Sequence, residues 1–123
     1  MLQPSADERN IMIVAGESSG DLHGGNLLHA AAAIDPGLNF FGVGGDRMRQ
    51  AGCRILFPAE ELSVMGLVEV AFQLPRILQR LRQLKQVLYS PQKPDLLILI
   101  DFPDFNLRLA KEAKKAGVPV LYY

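Results

Sequence analysis

The chain has 123 residues, enough for one domain with a hydrophobic core. Hydrophobic residues make up 49% and charged residues 21%, a composition that excludes a disordered protein. Thirteen basic residues balance thirteen acidic ones, so the net charge gives no reason to expect a nucleic-acid partner. The single cysteine, Cys53, excludes an internal disulfide and is predicted to be a small buried residue in a reducing compartment.

The sequence indicates neither a secretory signal at its start nor a membrane-spanning segment. The first ten residues include Asp7 and Glu8 and lack the apolar stretch of a secretory signal. The longest apolar run, residues 96–100, is too short to cross a bilayer. We therefore expect a cytoplasmic protein. Because the chain stops within or just after an apolar segment at 118–122, we also expect it to be the N-terminal part of a longer protein.

Short apolar runs alternate with longer segments of helical period, which indicates repeated strand–helix–strand units around a parallel sheet. Strands are predicted at 11–15, 39–43, 54–57, 95–100 and 118–122. Helices are predicted at 20–34, 46–51, 68–88 and 104–116, with the third kinked or divided at Pro75. The apolar side of the first helix is predicted to consist of Leu22, Leu27, Leu28 and Ala31. Right-handed crossovers give the strand order 3-2-1-4-5. The fold class is therefore α/β, a Rossmann-like parallel sheet in a single domain over residues 1–123.

The loop after the first predicted strand, AGESSGDLHGG, has glycines on both sides of polar residues at the start of a helix. Glycine allows close backbone approach, and a helix start offers unpaired N–H groups to an oxygen-rich ligand. The spacing matches neither GxGxxG nor GxxxxGK[ST], so neither a dinucleotide site nor a P-loop is indicated. The candidate ligand contacts are Gly16, Glu17, Ser18, Ser19, Gly20 and Asp21. The alternative is a tight turn in which Ser19 or Asp21 caps the helix.

A second glycine group, GVGG at 42–45, follows the second predicted strand. It adds Gly44 and Gly45 as candidates for lining the same cleft, although a plain turn into a short helix accounts for them equally well.

The run LLILIDFPDFN ends the fourth predicted strand at Asp101, beside the first strand. Pro103 disfavours helical geometry at Phe102, which predicts an extended backbone that projects Asp101 into the cleft. A carboxylate there, partly buried against Phe102 and Phe105, is suited to act as a general base. The alternative is a supporting role for Asp101, in which it accepts hydrogen bonds from backbone N–H groups.

Two further polar residues of this run are candidate ligand contacts, Asp104 and Asn106. For Asp104 we favour the role of N-cap of the last helix.

Residues 65–88 combine dense apolar side chains with arginines and lysine, and no acidic residue follows Glu69. This pattern is typical of a surface that meets anionic lipid, and a packed helix with a solvated basic face is the alternative. The predicted membrane or acyl-chain contacts are Met65, Val68, Val70, Ala71, Leu74, Arg76, Ile77, Leu78 and Arg80.

Four stretches of the chain form a distinctive combination: VAGESSGDLHG (14–24), FFGVGGDRMRQAGC (40–53), EELSVMGLVEV (60–70) and KPDLLILIDFPDFN (93–106). Together they resemble the lipid-A-disaccharide synthases, bacterial glycosyltransferases that join two acylated glucosamine units. The resemblance implies a glycosyltransferase-B architecture whose N-terminal lobe holds the acceptor and meets the membrane. The donor would be bound mainly by a C-terminal lobe that is absent from these 123 residues.

The implied reaction transfers 2,3-diacylglucosamine from UDP to the 6-hydroxyl of 2,3-diacylglucosamine 1-phosphate, with inversion and release of UDP. Asp101 matches the position of the family's base, and neither a metal nor an organic cofactor is expected. The implied partners are the acylated glucosamine phosphate, the UDP-sugar and an anionic membrane surface, at the cytoplasmic side of the inner membrane. Without its second lobe the chain is expected to be inactive.

Two other functions remain open from the sequence. One is a non-catalytic Rossmann-like module that binds a nucleotide or sugar phosphate. The other is a structural fragment in which residues 64–88 form a protein interface, so homo-oligomerisation also stays open.

Overall fold

A computed structural model describes residues 9–62 and 67–123, without the side chains of residues 67–70 and 72. The strands are β1 (Arg9–Ala15), β2 (Leu38–Gly44), β3 (Arg54–Pro58), β4 (Leu96–Ile100) and β5 (Val120–Tyr122). The helices are α1 (Ser18–Ile34), α2 (Asp46–Gln50), α3 (Leu67–Leu88) and α4 (Pro103–Lys115), with a 3-10 turn at Ala59–Glu61. The strands form one parallel sheet in the order β3-β2-β1-β4-β5, which confirms the predicted fold class and topology.

Helices cover both faces of the sheet, and alternate residues of the central strand β1 point to opposite faces. Met12 and Val14 pack in the cluster beneath α3 and α4, which includes Leu84 and Leu109. Ile11, Ile13 and Ala15 belong to the other cluster, with Leu28 of α1 and Met48 of α2. Burial on both sides explains why the strands are apolar runs without polar alternation.

The face that α1 turns to the sheet differs from the one predicted. We expected Leu22, Leu27, Leu28 and Ala31 to form its apolar side. Leu28 is buried and Leu27 is partly buried against the same cluster, as predicted, but Leu22 is 39% exposed. The other buried positions are Gly20, Asp21, Gly24 and Gly25. A Cβ on Gly24 would lie 2.7 Å from the sulfur of Met48, so the small residues let α1 pack closely.

Pro75 does not divide the third helix, contrary to one of the two predicted outcomes, since α3 runs continuously through it. Pro75 is exposed, while Leu84 and Leu88, nearer the C-terminal end of α3, are fully buried. The helix therefore tolerates the lost backbone donor because packing elsewhere along its length stabilises it. Within the described ranges, no helix is long and apolar enough to span a bilayer.

Candidate functional site

The loops after β1 and β4 meet at the centre of the sheet, as predicted. Ala15 and Ile100, the last residues of these two strands, are register partners, so the chain leaves both strands at the same edge. A cavity of about 1030 Å³ opens there. It is lined by Glu17, Ser18, Leu62, Leu74, Ile77, Leu78, Leu81, Asp101, Phe102, Pro103, Asp104, Phe105 and Arg108.

This cavity has a polar side and an apolar side. The polar side chains come from the start of α1, from the end of β4 and from the first turns of α4, and they include Glu17, Asp101 and Asp104. Half of the apolar lining residues come from α3, where Leu74 and Leu78 are 45% and 49% exposed. Exposed leucines beside carboxylates suit a ligand that has both an oxygen-rich head and an apolar chain.

The backbone after β4 turns instead of extending, so the predicted conformation of Phe102 is wrong. Asp101 and Phe102 both have left-handed backbone, with φ of 44° and 54°. Pro103 disfavours the right-handed helical region at Phe102, but it does not exclude the left-handed one. Each such residue costs about 1–3 kcal/mol, which the surrounding contacts must offset. Asp101 is also exposed, not partly buried as expected, so its carboxylate is open to the cavity.

Hydrogen bonds from two side chains hold the peptide carbonyl of Asp101. Asn106 Nδ2 and the Tyr122 hydroxyl each donate to this oxygen at 2.8 Å. Asn106, predicted to contact a ligand, is fully buried, and its amide group donates within the protein. Its Oδ1 is buried and has no hydrogen-bond partner among the described residues.

Asp104 is not the N-cap of α4, so the role that we favoured for it is wrong. The N-cap is Phe102, which forms no side-chain cap hydrogen bond, and Pro103 occupies the first helical turn. Proline is favoured at that position because its missing N–H would have no helical partner, and the helix therefore begins one residue earlier than predicted. Asp104 lies exposed in the first turn and lines the cavity.

The start of α1 is also set differently from the prediction. The helix begins at Ser18, with Glu17 as an extended N-cap residue, so neither Ser19 nor Asp21 caps it. Glu17 and Ser18 line the cavity, whereas Ser19 is exposed outside this lining. Gly20 is buried, and a Cβ there would lie 3.1 Å from the Cβ of Ala15.

Asp21 is buried and caps α2, the neighbouring helix. Its Oδ1 accepts hydrogen bonds from the N–H groups of Gly45 at 2.7 Å and Met48 at 3.0 Å, and its Oδ2 accepts from Arg47 at 3.1 Å. A Cβ on Gly45 would lie 2.7 Å from Asp21 Oδ2, and one on Gly44 would lie 2.3 Å from the sulfur of Met48. Asp21, Gly44 and Gly45 thus join α1 to the β2–α2 turn, outside the residues that line the cavity.

The predicted membrane contacts divide into three groups. Ala71, Leu74, Arg76 and Leu78 are exposed, and Ile77 is half-buried in the cavity wall. Arg80 is half-buried, and it pairs with Glu61 at 3.0 Å and lies 4.9 Å from the ring centre of Phe57. Met65 lies outside the described residues, and the side chains of Val68 and Val70 are not described.

Two residues that the sequence pattern did not indicate belong to the site. Arg108 is the basic residue of the cavity lining, and Tyr122 holds the Asp101 carbonyl from β5. Arg108 could have been found from its position four residues after Asp104, one helical turn away. Tyr122 gave no such signal, because it is distant in sequence from Asp101.

Cys53 is buried, as predicted, at 4% exposure. Burial raises the pKa of its thiol to about 12. The thiol is therefore protonated at neutral pH and is no nucleophile.

The parallel sheet, with a cleft at the carboxyl ends of β1 and β4, defines a Rossmann-like α/β domain whose cleft is a candidate ligand site. A sequence model of the lipid-A-disaccharide synthetase family matches residues 11–123, and the chain belongs to this family.

Several curated relatives carry the name lipid-A-disaccharide synthase. Those of Syntrophotalea carbinolica and Trichlorobacter lovleyi are 63% and 54% identical over 94% of this chain, and that of Geobacter metallireducens is 51% identical over 97%. The aligned segments make up 29%, 30% and 31% of these relatives, so the chain spans less than a third of their length.

A similar fold is found in a solved structure with little sequence identity to this chain. The C-terminal domain of a Pyrococcus furiosus hydrogenase superposes with a TM-score of 0.63, covering 100% of this chain and 98% of that one. At 15% identity this likeness shows the fold alone.

Proposed function

We propose that this chain is the acceptor-binding N-terminal domain of a lipid-A-disaccharide synthase. The enzyme transfers 2,3-diacylglucosamine from UDP to the 6-hydroxyl of 2,3-diacylglucosamine 1-phosphate and releases UDP. A C-terminal lobe outside residues 1–123 binds the UDP-sugar, and the reaction needs no metal or organic cofactor. The observation that carries the proposal is the two-sided cavity at Asp101, in a chain of this family.

The two sides of the cavity match the two parts of the acceptor. The sugar lies against Glu17, Ser18 and Asp101, whose oxygens accept hydrogen bonds from its hydroxyl groups. The acyl chains lie along α3, where Leu74 and Leu78 offer apolar surface. Arg108 faces the acceptor phosphate, because it is the basic side chain of the lining.

Asp101 acts as the general base. Its exposed carboxylate takes the proton of the acceptor hydroxyl as that oxygen attacks the anomeric carbon of the donor. The bond from the anomeric carbon to the UDP oxygen breaks, and its electron pair leaves with UDP on the opposite face. A single displacement of this kind inverts the anomeric centre and requires one base.

The exposed part of α3 contacts the membrane that holds the acceptor, so that the cleft can reach this lipid. Leu74 and Leu78 supply apolar surface, and Arg76 between them supplies positive charge for anionic headgroups. We infer a peripheral position at the cytoplasmic face of the inner membrane.

The test uses a protein that joins residues 1–123 to the C-terminal part of the Syntrophotalea carbinolica relative, which we call the chimera. We expect the chimera to form the disaccharide and Asp101→Asn to lower kcat by about 10²–10⁴-fold. Asp104→Asn, which removes a charge from the same wall, is the matched control and should lower kcat less than about tenfold.

Three results would contradict the proposal. One is an inactive chimera beside an active relative, and another is near-normal turnover in the Asp101→Asn chimera. The third is tight binding of UDP by the 123-residue chain alone, which would favour a non-catalytic module.

A further inference from the structure

Asp101, the general base of the proposed reaction, has a backbone conformation that non-glycine residues disfavour. Asp101 and Phe102 are consecutive non-glycine residues with φ of 44° and 54°. Such a pair persists only where neighbouring groups hold it. The direction in which the Asp101 carboxylate points therefore depends on the contacts of its own peptide group.

Asn106 supplies one of these contacts from α4. Its Nδ2 donates to the Asp101 carbonyl at 2.8 Å and lies 3.3 Å from the carbonyl oxygen of Ile100 and 3.5 Å from that of Val14. An amide NH₂ group has two hydrogens for these converging oxygens, whereas an aspartate would place negative charge against them. The side chain is fully buried, so water cannot take its place.

Tyr122 supplies the second contact from β5. Its hydroxyl donates to the same carbonyl at 2.8 Å, and a main-chain oxygen of the neighbouring Tyr123 accepts the Asp101 N–H at 3.1 Å. Desolvation and then the charge of Asp101 raise the pKa of Tyr122, so its hydroxyl keeps its proton at neutral pH. The Asp101 peptide is thus held from two separate elements, α4 and β5.

We propose that Asn106 and Tyr122 are positioning residues, which direct the Asp101 carboxylate at the acceptor hydroxyl by holding its backbone in the left-handed conformation. The inference rests on the proposed function, in which Asp101 is the base. Without these donors the peptide relaxes toward extended geometry and the carboxylate moves. A displacement near 1 Å at a reacting group costs on the order of 100-fold in rate.

The experiment measures kcat and the acceptor KM of the chimera with Asn106→Leu and with Tyr122→Phe. We expect kcat to fall on the order of 100-fold for Asn106→Leu and roughly tenfold for Tyr122→Phe, with little change in KM. Tyr89→Phe is the matched control. It removes a hydroxyl that donates to Glu112 between α3 and α4, and it should leave kcat unchanged.

A second measurement separates positioning from general stability. Each substitution is combined with Asp101→Asn, whose residual rate should then fall no further, because the carboxylate being positioned is gone. Losses that multiply in the double variants would overturn the inference.

The remaining outcomes are distinct from one another. If the kcat of the Tyr122→Phe chimera is within twofold of the parent value, the inference is overturned. This result decides the question even if the Asn106→Leu chimera does not fold. An inactive chimera or an active Asp101→Asn variant would instead contradict the proposed function.

Discussion

Gly16 and Phe102 pack against each other across the two loops of the cleft, with no room for a side chain between them. A Cβ on Gly16 would lie 2.5 Å from Cδ2 of Phe102, well inside van der Waals contact. The ring of Phe102, whose backbone is left-handed, thus occupies the space that a side chain at position 16 would need.

We expect Gly16→Ala to lower the free energy of unfolding of the 123-residue chain by about 1–3 kcal/mol, because the methyl group displaces the Phe102 ring. In a Phe102→Ala background the same change should cost much less, since the obstructing ring is gone. Urea unfolding of the four proteins measures both steps. Equal costs in the two backgrounds would show that the ring is not the obstacle.

Asp21 should matter for stability, because its carboxylate accepts three backbone N–H groups of the β2–α2 turn. We expect Asp21→Asn to lower the free energy of unfolding by about 1–3 kcal/mol. Asp46→Asn is the control, since that exposed carboxylate pairs with Arg49 at the surface and should change stability by less than about 1 kcal/mol. If the two variants unfold alike, the buried cap contributes little.

Arg108 should recognise the acceptor phosphate. In the chimera, we expect Arg108→Ala to raise the acceptor KM about 10- to 100-fold and to leave the donor KM unchanged, because one charge-assisted contact is lost. Lys111→Ala, which removes an exposed charge of α4 outside the cavity lining, should change neither constant. The same KM for both variants would contradict this assignment.

The exposed leucines of α3 should bind the chimera to membranes. We expect Leu74→Glu combined with Leu78→Glu to lower binding to phosphatidylglycerol vesicles at least about tenfold, because charge replaces apolar surface and repels the anionic headgroups. Sedimentation with the vesicles measures this. Ile34→Glu is the control, since Ile34 is 86% exposed at the far end of α1. An equal loss in the control would argue against a specific surface.

Cys53 should resist alkylation in the folded chain. Burial raises the pKa of its thiol from 9.0 to about 12, so about one molecule in ten thousand carries the reactive thiolate at pH 8. Because the folded pKa is the higher one, this group's contribution to stability is complete below pH 9 and is lost as pH rises toward 12. Iodoacetamide labelling with and without urea tests this, and fast labelling of the folded chain would contradict it.

Most of the fold could be predicted because its signals are local. Apolar runs identified all five strands to within two residues at each end, and the strand order followed from the handedness of the crossovers. The face of α1 was less predictable. Periodicity favoured Leu22, but the sheet accepts Gly20 and Gly24, since close packing requires small residues there.

The sequence by itself determined the topology, the meeting of the two loops and the place of Asp101 at a strand end. These follow from hydrophobic period, chain direction and strand order, which need no knowledge of individual contacts. Only the tertiary structure decided the roles of Asp21 and Asn106. Asp21 accepts a hydrogen bond from the backbone N–H of Gly45, 24 residues away, and Asn106 donates one to the Asp101 carbonyl. Which polar group is satisfied inside the protein depends on partners brought together by folding, and residue order alone does not specify them.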